Sequence, residues 1–271
     1  MPELPEVETT VRGLAPVLEG RRIESIELRR ADLRRPFPVD LRQRLTGATV
    51  THLSRRAKYG LIDTDRGDTL VFHLGMSGSW RLDPAQVGKH DHLVIETDTG
   101  RRLALNDPRR FGSVDLIPTE TLGQAVPFVG MGPEPLGDSF DGYYLLRVLK
   151  GRKAPIKPLL LDQRLVAGLG NIYVCEALNL AAIAPGREGG KISRPRLDRL
   201  AEAIKSVLAE AIEAGGSSLR NFVRPDGELG YFSSRWRVYG REGEPCPRCA
   251  SPVRRRTDGG RSTFYCAKCQ R

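Results

Sequence analysis

Four of the five cysteines in this 271-residue chain fall into two C-x-x-C pairs, Cys246/Cys249 and Cys266/Cys269, with sixteen residues between them. Each pair places two thiols on one side of a tight turn, and two such turns complete the tetrahedron of a structural zinc site. The segment between them is short and polar, so metal binding is expected to supply most of its folding free energy. Disulfides are the competing arrangement. They are disfavoured in a reducing cytosol, the compartment expected for a chain whose first residues, Met1 to Glu6, are acidic and carry no apolar signal region. One structural Zn2+ is therefore the expected cofactor. The fifth cysteine, Cys175, lies in an apolar helical stretch and reads as a small buried hydrophobe.

The formal charge is +10, and its placement is more informative than its size. Residues 221–271 carry eleven Lys and Arg against five Asp and Glu, interleaved with Phe222, Tyr231, Phe232, Trp236, Tyr239, Phe264 and Tyr265. Concentrated positive charge among aromatic rings suits a polyanion with stackable bases. An apolar content of 39% with 28% charged residues fits a globular chain, and no run of eighteen apolar residues offers a membrane span.

Along the chain, Pro5–Leu18 reads as an amphipathic helix stopped by Gly20, with Pro16 a point of bending or early termination. Eight short β-branched segments follow: 22–30, 49–53, 61–65, 69–74, 78–82, 92–97, 102–106 and 113–117. They are divided by turn residues such as Asp65–Asp68 and Asp98–Gly100, a spacing that predicts an antiparallel sandwich or barrel. Residues 118–139 read as a linker. Helical periodicity then covers 143–149, 156–161, 172–180 and 195–214, the last closed by Gly215-Gly216. The expected fold is α+β, with an N-terminal domain over 1–130 and a helical domain over 131–271 whose zinc-bound β-hairpin spans about 237–271.

Three further places carry chemistry. Met1-Pro2 predicts removal of the methionine, leaving Pro2 with a secondary amine; condensed with an aldehydic sugar carbon, such an amine gives a cationic iminium that drives elimination of a β-phosphate. Glu3 and Glu6 share a helix face with it, one suited to general-acid work and the other to orienting groups, although acids in a first helical turn also simply complement the dipole. Residues 159–173 suggest helix, glycine-rich turn, helix, with Asn171 as the N-cap and the amides after it an anion site that Lys157 could share. An ordinary helical hairpin explains the same pattern. Between the cysteine pairs, a basic hairpin turning at Gly259-Gly260 presents Arg261 as a phosphate clamp.

Taken together, Pro2–Glu8, Arg56–Gly60 with Lys58, His73–Gly78, Asp107–Gly112, Ile156–Pro158, Gly168–Tyr173, Asp226–Phe232 and the terminal cysteine pairs resemble the formamidopyrimidine-DNA glycosylases, in family order over the whole length. The resemblance implies an N-terminal helix and β-sandwich, a helix-two-turns-helix domain with a zinc finger, and damaged duplex DNA bound by a monomer in the cleft between them. It implies excision of oxidised purines followed by β,δ-elimination, in a cytoplasmic, nucleoid-associated repair enzyme. Pro2 would be the Schiff-base nucleophile and Glu3 the acid that opens the sugar ring. Glu6 would assist near the flipped nucleotide. Lys58 and Arg261, counted with the catalytic set, would hold phosphates around the lesion together with Lys157 and Asn171. Met76, Arg109 and Phe111 would fill the gap left by the extruded base, and His92 and Tyr239 would contact DNA. The segment 224–234 would close over the flipped purine.

Rival readings are weaker. An endonuclease VIII-like enzyme for oxidised pyrimidines is disfavoured by Leu4 and by the intact Met76, Arg109, Phe111 set. A zinc nucleobase deaminase needs His-x-Glu, which none of His52, His73, His90 and His92 provides. A non-enzymatic zinc-ribbon DNA-binding protein leaves the N-terminal block without a role.

Overall fold

In the computed structural model, residues 2–217, 225, 227 and 230–271 are described. They form two compact units, one of residues 1–129 with 214–231 and one of residues 130–213 with 232–271.

The first unit opens on helix α1 (Leu4–Leu18), which starts with a proline in its first turn and a reciprocal capping box between Glu3 and Glu6. Pro16 does not end it early, because the helix has only two residues left to run. Eight strands follow: β1 (Ile23–Leu28), β2 (Val50–Arg56), β3 (Tyr59–Thr64), β4 (Asp68–His73), β5 (Ser79–Leu82), β6 (Asp91–Thr97), β7 (Arg102–Asn106) and β8 (Ser113–Pro118). They match the eight β-branched segments of the sequence one for one. They make two antiparallel four-stranded sheets, ordered β1-β6-β7-β5 and β2-β3-β4-β8. A short helix α2 (Leu41–Leu45) between β1 and β2 has too few residues to show periodicity, and both its leucines are buried. One core joins both sheets to α1 through Leu14, Leu18, Phe72, Trp80, Leu93 and Leu105. Phe72 and Trp80 meet edge to face at 5.6 Å between centroids.

The second unit contains α3 (Gly142–Leu149), α4 (Ile156–Leu161), α5 (Asn171–Leu180) and α6 (Arg194–Glu213), then the hairpin β9 (Arg254–Asp258) and β10 (Arg261–Tyr265). The segment expected to be a linker holds a 3-10 turn, Thr119–Gln124. After α6 the chain returns to the first unit. Gly215 and Gly216 turn it, and the Tyr231 N–H donates to the Ala214 carbonyl at 3.0 Å, closing the base of the returning segment. Of the expected purine lid, 224–234, residues 224, 226, 228 and 229 lie outside the described residues. No described helix is long and apolar enough to cross a membrane.

Phe72→Ala is expected to cost about 3–5 kcal/mol, the usual penalty for emptying a fully buried aromatic site. Urea unfolding followed by tryptophan fluorescence measures it, since Trp80 loses its packing partner.

Candidate active site and nucleic-acid interface

In the first unit, the capping box of α1 positions the N-terminus. Glu3 is the N-cap and Glu6 the third helical residue; each side chain takes the other's backbone N–H, that of Glu3 reaching Glu6 Oε2 at 2.8 Å. Pro2 and both carboxyls are buried. The second Glu6 oxygen accepts the Ser217 N–H at 2.8 Å. Glu6 thus ties the residue after Pro2 to the first turn of the returning segment. Two residues further along α1, Glu8 accepts from Arg55 Nε at 2.9 Å, and Arg55 donates to the Ala57 carbonyl at 2.9 Å. That chain of contacts connects α1 to the β2–β3 turn, where Ala57 adopts a left-handed φ of 53° and Lys58 is buried beside it.

At the end of β4 stands His73, a residue to which the sequence assigned no role. Its Nδ1 accepts the Gly75 N–H at 3.0 Å. Burial, together with the neighbouring Lys58, Arg34 and Arg35 charges, lowers its pKa to about 4. The ring is therefore neutral near pH 7, and because Nδ1 is the acceptor its proton sits on Nε2. A cavity of about 390 Å³ is lined by His73, Arg34, Arg35, Tyr59, Phe111 and Ser113, a set of donors and cations suited to an anionic group.

Two loops next to it carry Met76, Arg109 and Phe111, the residues expected from the resemblance to replace the extruded base. Met76 and Phe111 are 38% and 43% exposed, which separates them from the buried core side chains of the same sheets. Arg109 lies over the Phe111 ring at 4.8 Å. The loops touch through backbone: Gly75 adopts φ 61°, and a Cβ there would run into Phe111 and Gly112 main-chain atoms. His92 lies beneath them. It is buried, its Nε2 meets the Asp107 carbonyl at 3.0 Å, and desolvation lowers its pKa.

In the second unit, a two-residue turn at Gly259 (φ 55°) and Gly260 (φ 75°) closes β9–β10 and opposes Arg261 to Asp258. Lys157, only 1% exposed, donates to the Ser262 carbonyl at 3.1 Å and to Thr263 Oγ1 at 2.6 Å, and burial holds its ammonium below the ordinary lysine range. The expected Asn171 N-cap is not formed: Gly170 is the N-cap and Asn171 the first residue of α5. The reason is tertiary. Asn171 Nδ2 donates to the Ser262 carbonyl at 2.8 Å, turning the side chain toward the hairpin instead of its own helix, and leaves a buried Oδ1 with no partner among the described residues. Lys157, Arg261, Leu161, Asp162 and Asp258 line a cavity of about 620 Å³.

Tyr239 packs edge-on to Trp236 and Phe264, each at 5.1 Å. Its backbone is set by Glu176, a buried carboxyl on α5 that accepts the N–H groups of Arg237, Val238 and Tyr239 at 2.7, 3.0 and 2.8 Å. An acid inside an otherwise apolar helix was the available sequence signal for Glu176. The ligating atoms of Cys246, Cys249, Cys266 and Cys269 all lie within 4.8 Å of one another. Such a cluster accommodates a tetrahedral zinc with Zn–S bonds of about 2.3 Å. Hydrogen bonds from Ser251 lead the causes that lower the Cys249 thiol to about 6, so one thiolate is at hand at neutral pH. Gln270 docks the knuckle on α5, accepting from Cys266 N–H and Asn179 and donating to the Ile183 carbonyl.

Comparison with known proteins agrees with this architecture. Three family profiles match in succession: the formamidopyrimidine-DNA glycosylase N-terminal domain over residues 1–114, the H2TH domain of the same enzymes over 131–223, and the zinc finger found in FPG and IleRS over 243–271. A formamidopyrimidine-DNA glycosylase of Rhizorhabdus wittichii is 69% identical over the full length of both chains, and one of Novosphingobium aromaticivorans is 64% identical, also over both full lengths. The chain belongs to the formamidopyrimidine-DNA glycosylase family. Among solved structures, MutM (FPG) of Thermus thermophilus superposes with a TM-score of 0.90 at 40% identity, covering 99% of this chain and 98% of that one. A Lactococcus lactis FPG mutant bound to Fapy-dG DNA gives 0.91 at 38% identity, covering 99% of each chain. As in other members of the family, the four-cysteine knuckle is of the FPG zinc-finger type and takes one structural zinc.

Two outcomes follow for this family member. Because His73 titrates below its unfolded value of 6.5, the unfolded chain binds more protons between about pH 6.5 and 4. The stability contributed by neutral His73 is therefore present above that window and lost as pH falls through it, at up to about 1.4 kcal/mol per pH unit. Urea midpoints of wild type and His73→Gln across this range are expected to converge at low pH. Removing zinc with a chelator is expected to melt the β9–β10 hairpin and abolish DNA binding, read by metal content and fluorescence anisotropy on a duplex.

Proposed function

We propose that this chain is a bifunctional glycosylase and lyase that removes oxidised purines, 8-oxoguanine and formamidopyrimidines, from duplex DNA in base excision repair. The observation that carries the reading is the buried head of α1, where Pro2 lies beside two carboxyls held in a reciprocal capping box. With Met1 removed, Pro2 has a secondary amine of reference pKa about 8, much nearer neutrality than a lysine.

In this mechanism the Pro2 nitrogen forms a bond to C1′ as the damaged base leaves with its bonding electrons, and the N–H proton that the nitrogen then sheds balances the one the departing base takes up. Glu3 gives a proton to the ring oxygen, the C1′–O4′ bond opens, and the nitrogen lone pair closes the iminium. Its positive charge acidifies C2′; loss of that proton expels the 3′ phosphate, and a second elimination expels the 5′ phosphate. Hydrolysis of the iminium frees Pro2 and leaves a one-nucleotide gap. Lys58, Lys157, Asn171 and Arg261 hold the phosphates about the lesion, while Met76, Phe111 and Arg109 occupy the vacated stack and hydrogen-bond the orphan base. His92 and Tyr239 complete the set of residues that contact the DNA. The enzyme works as a monomer in the cytoplasm, at the nucleoid. Lactococcus lactis Fpg complexes with Fapy-dG and abasic-site DNA support this substrate class. Structural zinc is the only metal needed.

Borohydride trapping on an 8-oxoguanine·cytosine duplex, followed by mass spectrometry of the N-terminal peptide, tests the proposal. A covalent adduct is expected on Pro2, and Pro2→Gly and Glu3→Gln are each expected to lower excision at least 100-fold, the scale of removing a nucleophile or general acid. An adduct on a lysine would move the nucleophile. Binding without adduct or cleavage would leave a lesion-binding protein.

A further inference from the structure

We infer that Asp107 and Ser77 are positioning residues for lesion recognition, splicing the Met76 loop to the Arg109–Phe111 loop so that the two move as one wedge. Neither residue faces solvent: Asp107 is 1% exposed and Ser77 is buried. Asp107 Oδ1 accepts the Ser77 hydroxyl at 2.6 Å, and Oδ2 accepts the Gly112 N–H at 2.8 Å. The same Ser77 oxygen accepts the Arg109 N–H at 3.2 Å. The carbonyl of Asp107 takes the Arg110 N–H at 3.2 Å and meets His92 Nε2 at 3.0 Å, and its own N–H donates to His90.

One carboxyl therefore holds Gly112 and Ser77, the residue that follows Met76, directly, and through the Ser77 hydroxyl it reaches the Arg109 N–H at the other end of the 109–112 turn. The turn needs the grip. Arg110 sits at a left-handed φ of 58°, a conformation that costs a non-glycine residue energy and persists where its surroundings fix it. Among the described residues, the exposed side chains of Arg109 and Phe111 have only each other's cation–ring contact to hold them. A side chain entering a base stack must arrive already aligned, because each rotamer or loop frozen on binding subtracts from affinity. With the Asp107–Ser77 bridge, Arg109 meets the orphan base from a fixed backbone; without it, the guanidinium still exists but its origin wanders.

The inference rests on the glycosylase reading above, and the experiment separates the two. Ser77→Ala is compared with wild type, Arg109→Ala and the double variant in two assays. One is single-turnover excision from an 8-oxoguanine·cytosine duplex. The other is cleavage of an abasic single strand, which has neither a stack to enter nor an orphan base to read. Ser77→Ala is expected to retain single-strand cleavage within about twofold and to lose about tenfold in duplex excision, the scale of one displaced bidentate base contact. Adding Ser77→Ala to Arg109→Ala is expected to cause little further loss, since the bridge acts through Arg109. Asp107→Asn keeps the shape but turns one acceptor into a donor against Gly112 or Ser77, and is expected to show the same split. Wild-type duplex excision in Ser77→Ala, additive losses in the double variant, or equal losses in both assays would each overturn the positioning role. A wild-type protein that cleaves neither substrate would overturn the glycosylase reading instead.

Discussion

Glu6 commits both of its carboxyl oxygens to backbone amides, one at Glu3 and one at Ser217. The functional end of the first unit depends on this pair of contacts. A buried acid with two N–H donors is satisfied in place, whereas the same acid with one donor missing would leave a polar atom stranded at a cost of about 1–3 kcal/mol. The consequence is positional. The residue after Pro2 and the first turn of the returning segment share one anchor, so Pro2 cannot shift without disturbing a segment more than two hundred residues away in sequence.

The same device recurs wherever a loop carries function. Asp107 gathers the turn that displays Arg109 and Phe111, Glu176 gathers three successive amides below Tyr239, and Gln270 docks the cysteine knuckle on α5. Lys157 and Asn171 play the donor's part, both meeting the Ser262 carbonyl. Loops otherwise sit at the low-stability end of a fold. Here each is fixed by a polar side chain, with Glu176, Lys157 and Asn171 on helices, Asp107 just past β7 and Gln270 in the terminal knuckle itself. That arrangement lets exposed residues be both accessible and aligned, the condition for recognising a base that must first leave the stack.

Much of the candidate site was legible because its signals are local. Pro2, Glu3 and Glu6 lie within one helical turn, the zinc ligands announce themselves by spacing, and Gly259-Gly260 specifies its own hairpin. The strands were legible for a similar reason: each is a short β-branched run bounded by turn residues. Asn171 shows where such reasoning stops. An Asn at a helix start is a good cap by propensity, yet this one faces a carbonyl ninety-one residues away. His73 stood in a recognised motif without a role because neutrality is not a property of histidine in a sequence. It follows from burial beside Lys58, Arg34 and Arg35.

The sequence by itself determined the α+β class, the eight strands, the zinc ligands and the family, since each rests on residue type and short-range spacing. Only the tertiary structure decided which buried groups hold those residues still. The Glu6–Ser217, Glu176–Arg237 and Asp107–Ser77 contacts span 211, 61 and 30 residues. Hydrogen bonds at such separations are set by how sheets and helices pack, and packing leaves no periodic mark on the chain that a local reading can recover.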